Sequence, residues 1–366
     1  MSRLNINNLT NENEDGSPKI SGISTFSSTH YFVPPSGSTA ERPSHADPGM
    51  IRFNTDSGHL EYYNGVEWTS VIVKETAGIS GRGIFAGGNY NPGSGTVRAT
   101  EIDYVTIQTT GNATDFGDLS TGRDVPAGCA SRTRGIIAGG YSGSEESSID
   151  YIEIATLGNA ADFGDLVGSR RNRDGAGDST RGIMMGGWAP TTAIDVITFA
   201  STGSATTGGG LGAARYNNGV LSNSTRGVSG GGAGTAPAGD QVNMEYVTIQ
   251  SLGTAQNFGD LGVGGFNAGT SSPTRGIFVS NGGTIEYITI STTGNAQDFG
   301  DATFTDNNKN ATADSTRAVF GGASSPAAVN TLNFITISTL GDASDFGDLI
   351  QARGAGAAFS NGHGGL

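Results

Sequence analysis

The chain has 366 residues, of which 61 are Gly and 11 Pro, so about one position in five interrupts regular backbone and short strands with tight turns are favoured over long helices. The formal charge is −14, from 34 carboxylates against 17 Arg and 3 Lys, which argues against a nucleic-acid binder, since that would need a basic stripe to displace counterions from phosphate. One cysteine, Cys129, excludes an intrachain disulfide framework and a Cys-rich metal site, and no apolar run reaches the ~18 residues of a membrane span.

The N-terminal stretch MSRLNINNLTNENEDG is too polar for a signal peptide, so a soluble product made in a reducing cytoplasm is expected. Met1–Ser28 is Asn- and Ser-rich without periodicity, and residues 1–47 read as an extended attachment arm. Residues 48–78 read as a small β meander with strands at Met50–Asn54, His59–Tyr63 and Glu67–Val73. Turns fall at Asp56-Ser57-Gly58 and at Asn64-Gly65, the second a strong hairpin signal. So small a sheet buries too little surface alone, and it is expected to rest on another chain, on copies of itself in a homo-oligomer, or on the remainder of the molecule.

From residue 79 onward the chain repeats itself. A Thr-Arg-Gly-Ile-like strand start recurs at Arg82, Arg134, Arg181, Arg226, Arg275 and Arg317, in steps of 52, 47, 45, 49 and 42 residues. A second anchor, Asp-Phe-Gly-Asp-Leu, carries Phe116, Phe163 and Phe346, and changed versions of it carry Phe258 and Phe299. The third unit has only TGGGL at Thr207–Leu211 and is the degenerate copy. Within a unit, RGIIAGG (Arg134–Gly140) is an apolar strand closed by a glycine pair, and IDYIEIA (Ile149–Ala155) alternates with the period of a strand. Four short strands per 45 to 50 residues are the pattern of a β-propeller blade.

The small-residue stretches AGCAS (Ala127–Ser131), GAGDS (Gly175–Ser179) and NAGTSS (Asn267–Ser272) suit the crowded innermost strand, and each motif Phe suits a position between blades. The first unit lacks such a stretch, whereas RGAGAAF (Arg353–Phe359) follows the last unit with none after it. The expected fold is therefore all-β, a six-bladed propeller over residues 79–366 whose C-terminal strand completes the first blade and leaves no open edge.

STHYFVPPSGSTAERP (Ser28–Pro43), followed by PGMIRFNTDSGHLEYYNGVEW (Pro48–Trp68), resembles segments of structural and tail-fibre proteins of tailed phages, especially those of marine cyanobacteria. The repeats resemble Kelch-type blades, with Gly pairs at Gly87-Gly88, Gly139-Gly140, Gly186-Gly187, Gly231-Gly232 and Gly321-Gly322, although the Tyr and Trp that follow the pair in Kelch blades are mostly missing. The resemblance implies a virion component assembled in the host cytoplasm, held to other virion proteins by residues 1–78 and displaying the propeller.

No catalytic constellation can be assembled. His30, His45 and His59 precede the repeats and His363 closes the chain, which leaves no cluster for a copper-radical site of the galactose-oxidase type and no well-placed base for Ser/His/Asp catalysis. The turns of a sialidase-type propeller are absent, and nothing selects a glycosidase pair among the scattered carboxylates. The Gly-rich runs lack the Lys of a phosphate loop, and the recurring Asp-Phe-Gly is a turn element without the other kinase motifs. Acidic turns suit calcium, but no EF-hand or nonapeptide loop is present, so solvated carboxylates are expected, with neither metal nor cofactor.

The repeated arginines are expected to make salt bridges or Arg-to-carbonyl hydrogen bonds. Loops after the Gly pairs vary most, and Tyr90, Tyr141 and Trp188 on three successive units could stack on sugars or anchor a protein, or else pack over neighbouring loops. The expected function is non-enzymatic: a tail fibre, adhesin or decoration protein binding a host surface glycan or envelope protein. The alternatives are a lectin-like or protein-interaction propeller outside a virion and a carbohydrate-active enzyme.

Overall fold

Where the central strands of the repeat region touch, several positions leave no room for a side chain. In the computed structural model, which describes residues 34–71, 81–235, 238–265, 267–305, 307–324 and 327–366, a Cβ added to Gly175 would meet the Gly128 carbonyl oxygen at 2.8 Å, and one on Gly269 would meet the Val220 nitrogen at 2.7 Å. The strands that touch here, Ala127–Ala130, Asp174–Gly177, Gly219–Ser222, Asn267–Ser271, Asn310–Ala313 and Ala357–Ser360, consist mainly of small residues for that reason. Each packs against its successor, and Ala357–Ser360 lies against both Asn310–Ala313 and Ala127–Ala130.

The chain divides into two units, Met1–Thr76 and Ala77–Leu366. Residues 1–33, which carry most of the expected arm, and residues 72–80 lie outside the described residues. In the first unit, Ile51–Asn54, His59–Tyr63 and Trp68–Ser70 form the expected antiparallel meander, and Ser36–Gly37 adds a fourth, parallel strand beside Ile51–Asn54. Ser36–Gly37, within the expected arm, thus belongs to this sheet, and a 3-10 turn follows at Thr39–Glu41. What draws them in is charge: Glu61, fully buried, accepts from Arg42 at 3.2 and 2.6 Å and from Asn54 at 3.1 Å. Arg42 holds the Glu61 carboxyl below the usual carboxylate range, with Asn54 and Arg52 adding to the shift against burial.

The second unit is all-β, with no α-helix among the described residues. Each crowded strand opens an antiparallel sheet. The second such sheet runs Ala127–Ala130, Arg134–Ala138, Ser148–Glu153, Ala161–Asp165, and the later ones repeat this order. The first sheet is assembled from both ends of the unit: Ala357–Ser360 pairs with Arg82–Ala86, which continues to Glu101–Thr106 and Thr114–Asp118. The third sheet departs most. Its outer strand, Thr206–Tyr216, overruns the sheet and pairs with a hairpin of Ala233–Thr235 and Ala238–Asp240, which explains why TGGGL matches its counterparts poorly.

One turn geometry recurs between the crowded strand and the next. Ser131, Asp178, Asn223, Ser272 and Asp314 accept the backbone N–H of Arg134, Arg181, Arg226, Arg275 and Arg317 at 2.8 to 3.1 Å. Arg82 has no preceding turn of this kind, and Asn361 Oδ1 supplies its acceptor at 2.9 Å.

Sheets are joined at their outer strands by a shared backbone clasp. Gly158 N donates to Phe116 O, Gly203 N to Phe163 O, Gly294 N to Phe258 O and Gly341 N to Phe299 O, at 2.7 to 2.9 Å. Gly111 N donates to Phe346 O at 2.8 Å, so the last sheet is clasped to the first. Inside each clasp the Phe enters a cluster with the next sheet: Phe116 with Ile152 and Ile154, and Phe346 with Val105 and Ile107. Burial of one such ring contributes roughly 1.5–3 kcal/mol.

The clasp tests itself through glycine. Gly117 has φ +147° and its Cβ would meet the Gly158 carbonyl oxygen at 2.5 Å, whereas Gly158 has φ +153° with open space around it. Gly158→Ala should cost the backbone strain alone, roughly 1–3 kcal/mol, and Gly117→Ala distinctly more, because a carbonyl must also move. Denaturant unfolding of the two variants checks the order.

Candidate functional site

Because the crowded strand and its neighbour are antiparallel, as in Ala127↔Ala138, the start of one and the end of the other meet at one end of the sheets. There the chain turns outward through the Gly pair. Gly139 (φ +65°) and Gly140 (φ +104°) sit where a Cβ would strike the carbonyl oxygens of Arg170 at 2.4 Å and Asp124 at 2.7 Å.

Two residues before five of the six crowded strands the backbone becomes left-handed at Val125, Asn172, Asn217, Asn308 and Ala355, with φ between 49° and 62°, and Gly265 at φ +104° stands at the same place before the sixth. Asparagine tolerates this conformation better than most side chains. These residues hydrogen-bond in series: Ala355 N to Asn308 O at 2.9 Å, Val125 N to Ala355 O at 2.6 Å, Asn172 N to Val125 O at 3.0 Å and Asn217 N to Asn172 O at 2.8 Å. This collar, together with Arg173, Asp174, Asn218, Asn281, Lys309 and Asn310, lines a cavity of about 90 Å³.

The lining of the cavity is polar. Arg173 donates to Asp195 Oδ2 at 2.7 Å and to Met184 O at 2.6 Å, while burial holds its pKa below the ordinary arginine value. Burial pushes the Asp174 carboxyl up to about 7, against the pull of the Val220 and Gly175 N–H groups at 3.0 and 2.8 Å. Lys309 Nζ donates to the Ser280 and Asn281 carbonyls at 3.3 and 3.1 Å. Asn218 Nδ2 reaches Ser229 Oγ at 3.0 Å, but its Oδ1 has no hydrogen-bond partner among the described residues, nor has Arg173 Nε.

Beneath the collar run arginines that the sequence reading does not single out. Arg123, Arg215 and Arg353, each four residues before a crowded strand and almost wholly buried, pair with Asp150, Glu245 and Asp103 of their third strands at 2.9 to 3.0 Å. Burial raises the Asp103 carboxyl despite Arg353, and burial lowers Arg215. Their signal in the sequence is an Arg four positions ahead of a small-residue run, answered by an acid in the following IDY, IDY or MEY triplet. Arg123→Met, which strands Asp150, should cost about 3–5 kcal/mol, and adding Asp150→Asn should return part of it. A double-mutant cycle in urea measures this.

The six repeated arginines lie at the opposite end of the sheets. Each donates to a carbonyl of another sheet: Arg82 to Ile154, Arg134 to Phe199, Arg181 to Gln250, Arg226 to Ser291, Arg275 to Ile337 and Arg317 to Gln108, at 2.8 to 3.0 Å. Arg82, Arg134, Arg226, Arg275 and Arg317 also stack at 4.6 to 4.9 Å on Tyr104, Tyr151, Tyr246, Tyr287 and Phe334. Those rings in turn meet Phe116, Phe163, Phe258, Phe299 and Phe346 edge to face, with centroids 6.0 to 6.2 Å apart. In the third sheet Val196 and Gly208 replace both rings, and a Cβ on Gly208 would lie 2.2 Å from Val196. The pair is lost together.

Tyr141 and Trp188 stand on the collar end, where Tyr141 bridges Asp124 and Trp188 bridges Arg171. Asn89, bridged to Gly354, holds the equivalent place in the first unit, so Tyr90 is displaced by one residue and the three aromatics are not a matched set. Tyr141 is flanked by the guanidinium groups of Arg98 and Arg171 at 4.6 and 4.7 Å, which is packing over neighbouring loops. Trp188 is 38% exposed, with Tyr216 edge-on at 4.7 Å and Arg171 at 5.7 Å.

At the far end of the crowded strands lies the C-terminal segment. His363 Nε2 meets Ala130 O at 2.7 Å and Gly365 N donates to His363 Nδ1 at 3.1 Å, which only the neutral Nε2–H tautomer satisfies. Half-buried yet enclosed by protein, the imidazole is lowered to about 4 from 6.5 by burial. The unfolded chain therefore takes up this proton first, and the stability His363 contributes is complete above pH 6.5 and lost as pH falls toward 4. Asp174 acts oppositely: raised to about 7 from 3.8, it withdraws stability as pH rises across that interval. Thermal unfolding against pH should show a shallower acid loss for His363→Asn and a shallower neutral loss for Asp174→Asn, and unchanged slopes would refute both assignments. Cys129 is buried, and burial pushes its thiol up.

Among the described residues, no group of three or more His, Cys, Asp or Glu could hold a metal ion. No protein-family model and no curated protein matches the chain.

Proposed function

We propose that residues 79–366 form a closed six-bladed β-propeller of Kelch-like layout. We further propose that the chain is a non-enzymatic virion structural protein of tailed phages: a tail fibre, adhesin or decoration protein. Residues 1–78 attach it to other virion proteins, and the collar end of the propeller meets a host surface glycan or envelope protein. In support of closure, the crowded strands touch in cyclic order, the last outer strand is clasped to the loop at Gly111, and Asn361 caps Arg82 as the preceding turns cap the other five arginines.

The observation that carries the binding role is that the repeat is uniform at one end and variable at the other. The capping turns before the arginines are near copies, while the loops after the Gly pairs differ in length and chemistry, from the Asn89–Tyr90 and Val97–Arg98 ladder to the paired strands Ala233–Thr235 and Ala238–Asp240. A rigid frame with divergent loops on one face is the usual arrangement for recognition. In the first unit, Ile51 at 53% exposure with Phe53 and Tyr62 on one sheet face supports attachment through protein partners or further copies of the chain.

A mass-spectrometric inventory of purified particles should contain this chain, and electron micrographs of the full chain should show a disc with six spokes. Absence from particles would overturn the virion assignment in favour of a lectin-like or interaction propeller outside a virion. A different spoke count would overturn the architecture.

A further inference from the structure

We infer that the uncharged face of the first-unit sheet is where copies of this chain associate, the face of one covered by the same face of a second. This rests on the reading of residues 1–78 as the attachment segment and names what its exposed apolar side meets.

Register places six side chains on that face. Ile51 stands opposite Tyr62 and Tyr62 opposite Thr69, Phe53 stands opposite Leu60, and Val71 N donates to Leu60 O at 2.7 Å. Side chains directly opposite share a face, so the two rows form one grid across three strands. None of the six is charged. Ile51 is 53% exposed, and Phe53, Tyr62 and Val71 are exposed as well.

The other face has the opposite character. Arg52, Asn54 and Glu61 alternate with the residues of the grid and are buried. Arg52 donates to Ser38 O at 2.9 Å, Asn54 Nδ2 to Thr39 Oγ1 at 3.0 Å and Arg42 to Glu61 Oε2 at 2.6 Å, so the chain from Ser38 to Arg42 covers the charges. An antiparallel sheet with one wet face ordinarily turns its apolar side inward and its charges out. Here the two are exchanged, and the apolar side is the one left to be buried. A sheet this small seldom stands without a disulfide, a metal or association. The only cysteine, Cys129, belongs to the second unit, and no metal-holding group exists among the described residues. Association is what remains.

Charge selects the occupant. The chain carries −14, so copies repel over most of their surface and approach at least cost where no charge sits. A different partner of so acidic a chain would be recognised by basic groups set against acidic ones, and this grid has no acid to offer. An uncharged face is complementary to itself, which a contact between identical patches requires. Phe and Tyr without charge are also the composition of interface centres. Size agrees: the grid and the turns around it offer on the order of 500 Å² per copy, so two copies reach the ~1,000 Å² at which specific association begins.

The test is sedimentation of the full chain over a concentration series reaching the high micromolar range, with Ile51→Asp beside it. The wild-type chain should exceed the mass of one chain. Ile51→Asp sets like charges into the contact and should raise the dissociation constant about a hundredfold or more. Trp68 lies on the covered side with its ring 5.6 Å from that of Tyr63, so unchanged near-ultraviolet dichroism certifies the sheet, and Tyr62→Lys replaces Ile51→Asp if the latter fails to fold. Tyr62→Cys reads the contact itself. Cys129 is buried, so the thiol at position 62 alone meets reagent, and a bis-maleimide about 10 Å long, the spacing of packed sheets, should link two chains. Ser57→Cys, in the turn at the end of the sheet, should give only background linkage.

A wild-type chain at single-chain mass throughout the series would overturn the inference and give the face to a different protein. So would an oligomer that survives Ile51→Asp while Tyr62→Cys fails to link, because association would then use another surface. An oligomer of a chain absent from purified particles would remove the virion reading and leave self-association standing, and a single-chain mass for a chain present in particles would do the reverse.

Discussion

Steric crowding where the six small-residue strands converge governs the rest of this structure. At their closest approaches these strands admit only hydrogen in place of a side chain, as the 2.7–2.8 Å distances at Gly269 and Gly175 demonstrate. With no room for apolar bulk at the centre, the core is displaced outward. It becomes a series of separate clusters, each shared by two neighbouring sheets and most of them wedged by one Phe. This is how a chain with 35% apolar and 8% aromatic residues builds a frame of this size. No single large core is needed, because each sheet completes its neighbour's.

Arginine serves the frame in two different ways. The set at the capped turns is partly exposed, in five of six cases stacked on a ring, and bonded to a carbonyl of another sheet, so it orients one sheet on another at little desolvation cost. The set beneath the collar is buried and paired with acids. Burying ions buys little net stability, but it penalises any arrangement that separates the partners. Arg353 shows the effect of such a pair: bonded to Asp103 Oδ2 and to the Gly87 and Phe85 carbonyls, it fixes where the segment from the C-terminal end of the chain lies in the first sheet.

Much of this frame is legible in the sequence because its constraints act on single residues. A strand without room must be small, a turn with positive φ favours Gly, and a wedge must be Phe; such requirements recur at the repeat spacing. The cavity is harder to read, since the residues that line it differ from one copy of the repeat to the next at the same place. Asn172, Asn217 and Asn308 share a left-handed position with Val125 and Ala355, and only three of the five carry an amide. Arg173 and Lys309 share the next position, immediately before a crowded strand, with Pro126, Asn218 and Gly356. Tyr90 illustrates the opposite error: proximity to a Gly pair suggests equivalence with Tyr141, but strand register gives that place to Asn89. Register lies in hydrogen bonds across the sheet and leaves little trace along the chain.

The pairing of Ala357–Ser360 with Arg82–Ala86 joins strands some 270 residues apart. Few contacts could have a higher loop-closure cost or a greater contact order. During synthesis, Arg82–Ala86 must wait with one side unpaired, an apolar edge on offer to any other chain, until Ala357–Ser360 has been made. The surplus of negative charge across the molecule then takes on a kinetic meaning: it keeps nascent copies apart during the interval when that edge is most able to recruit the wrong partner.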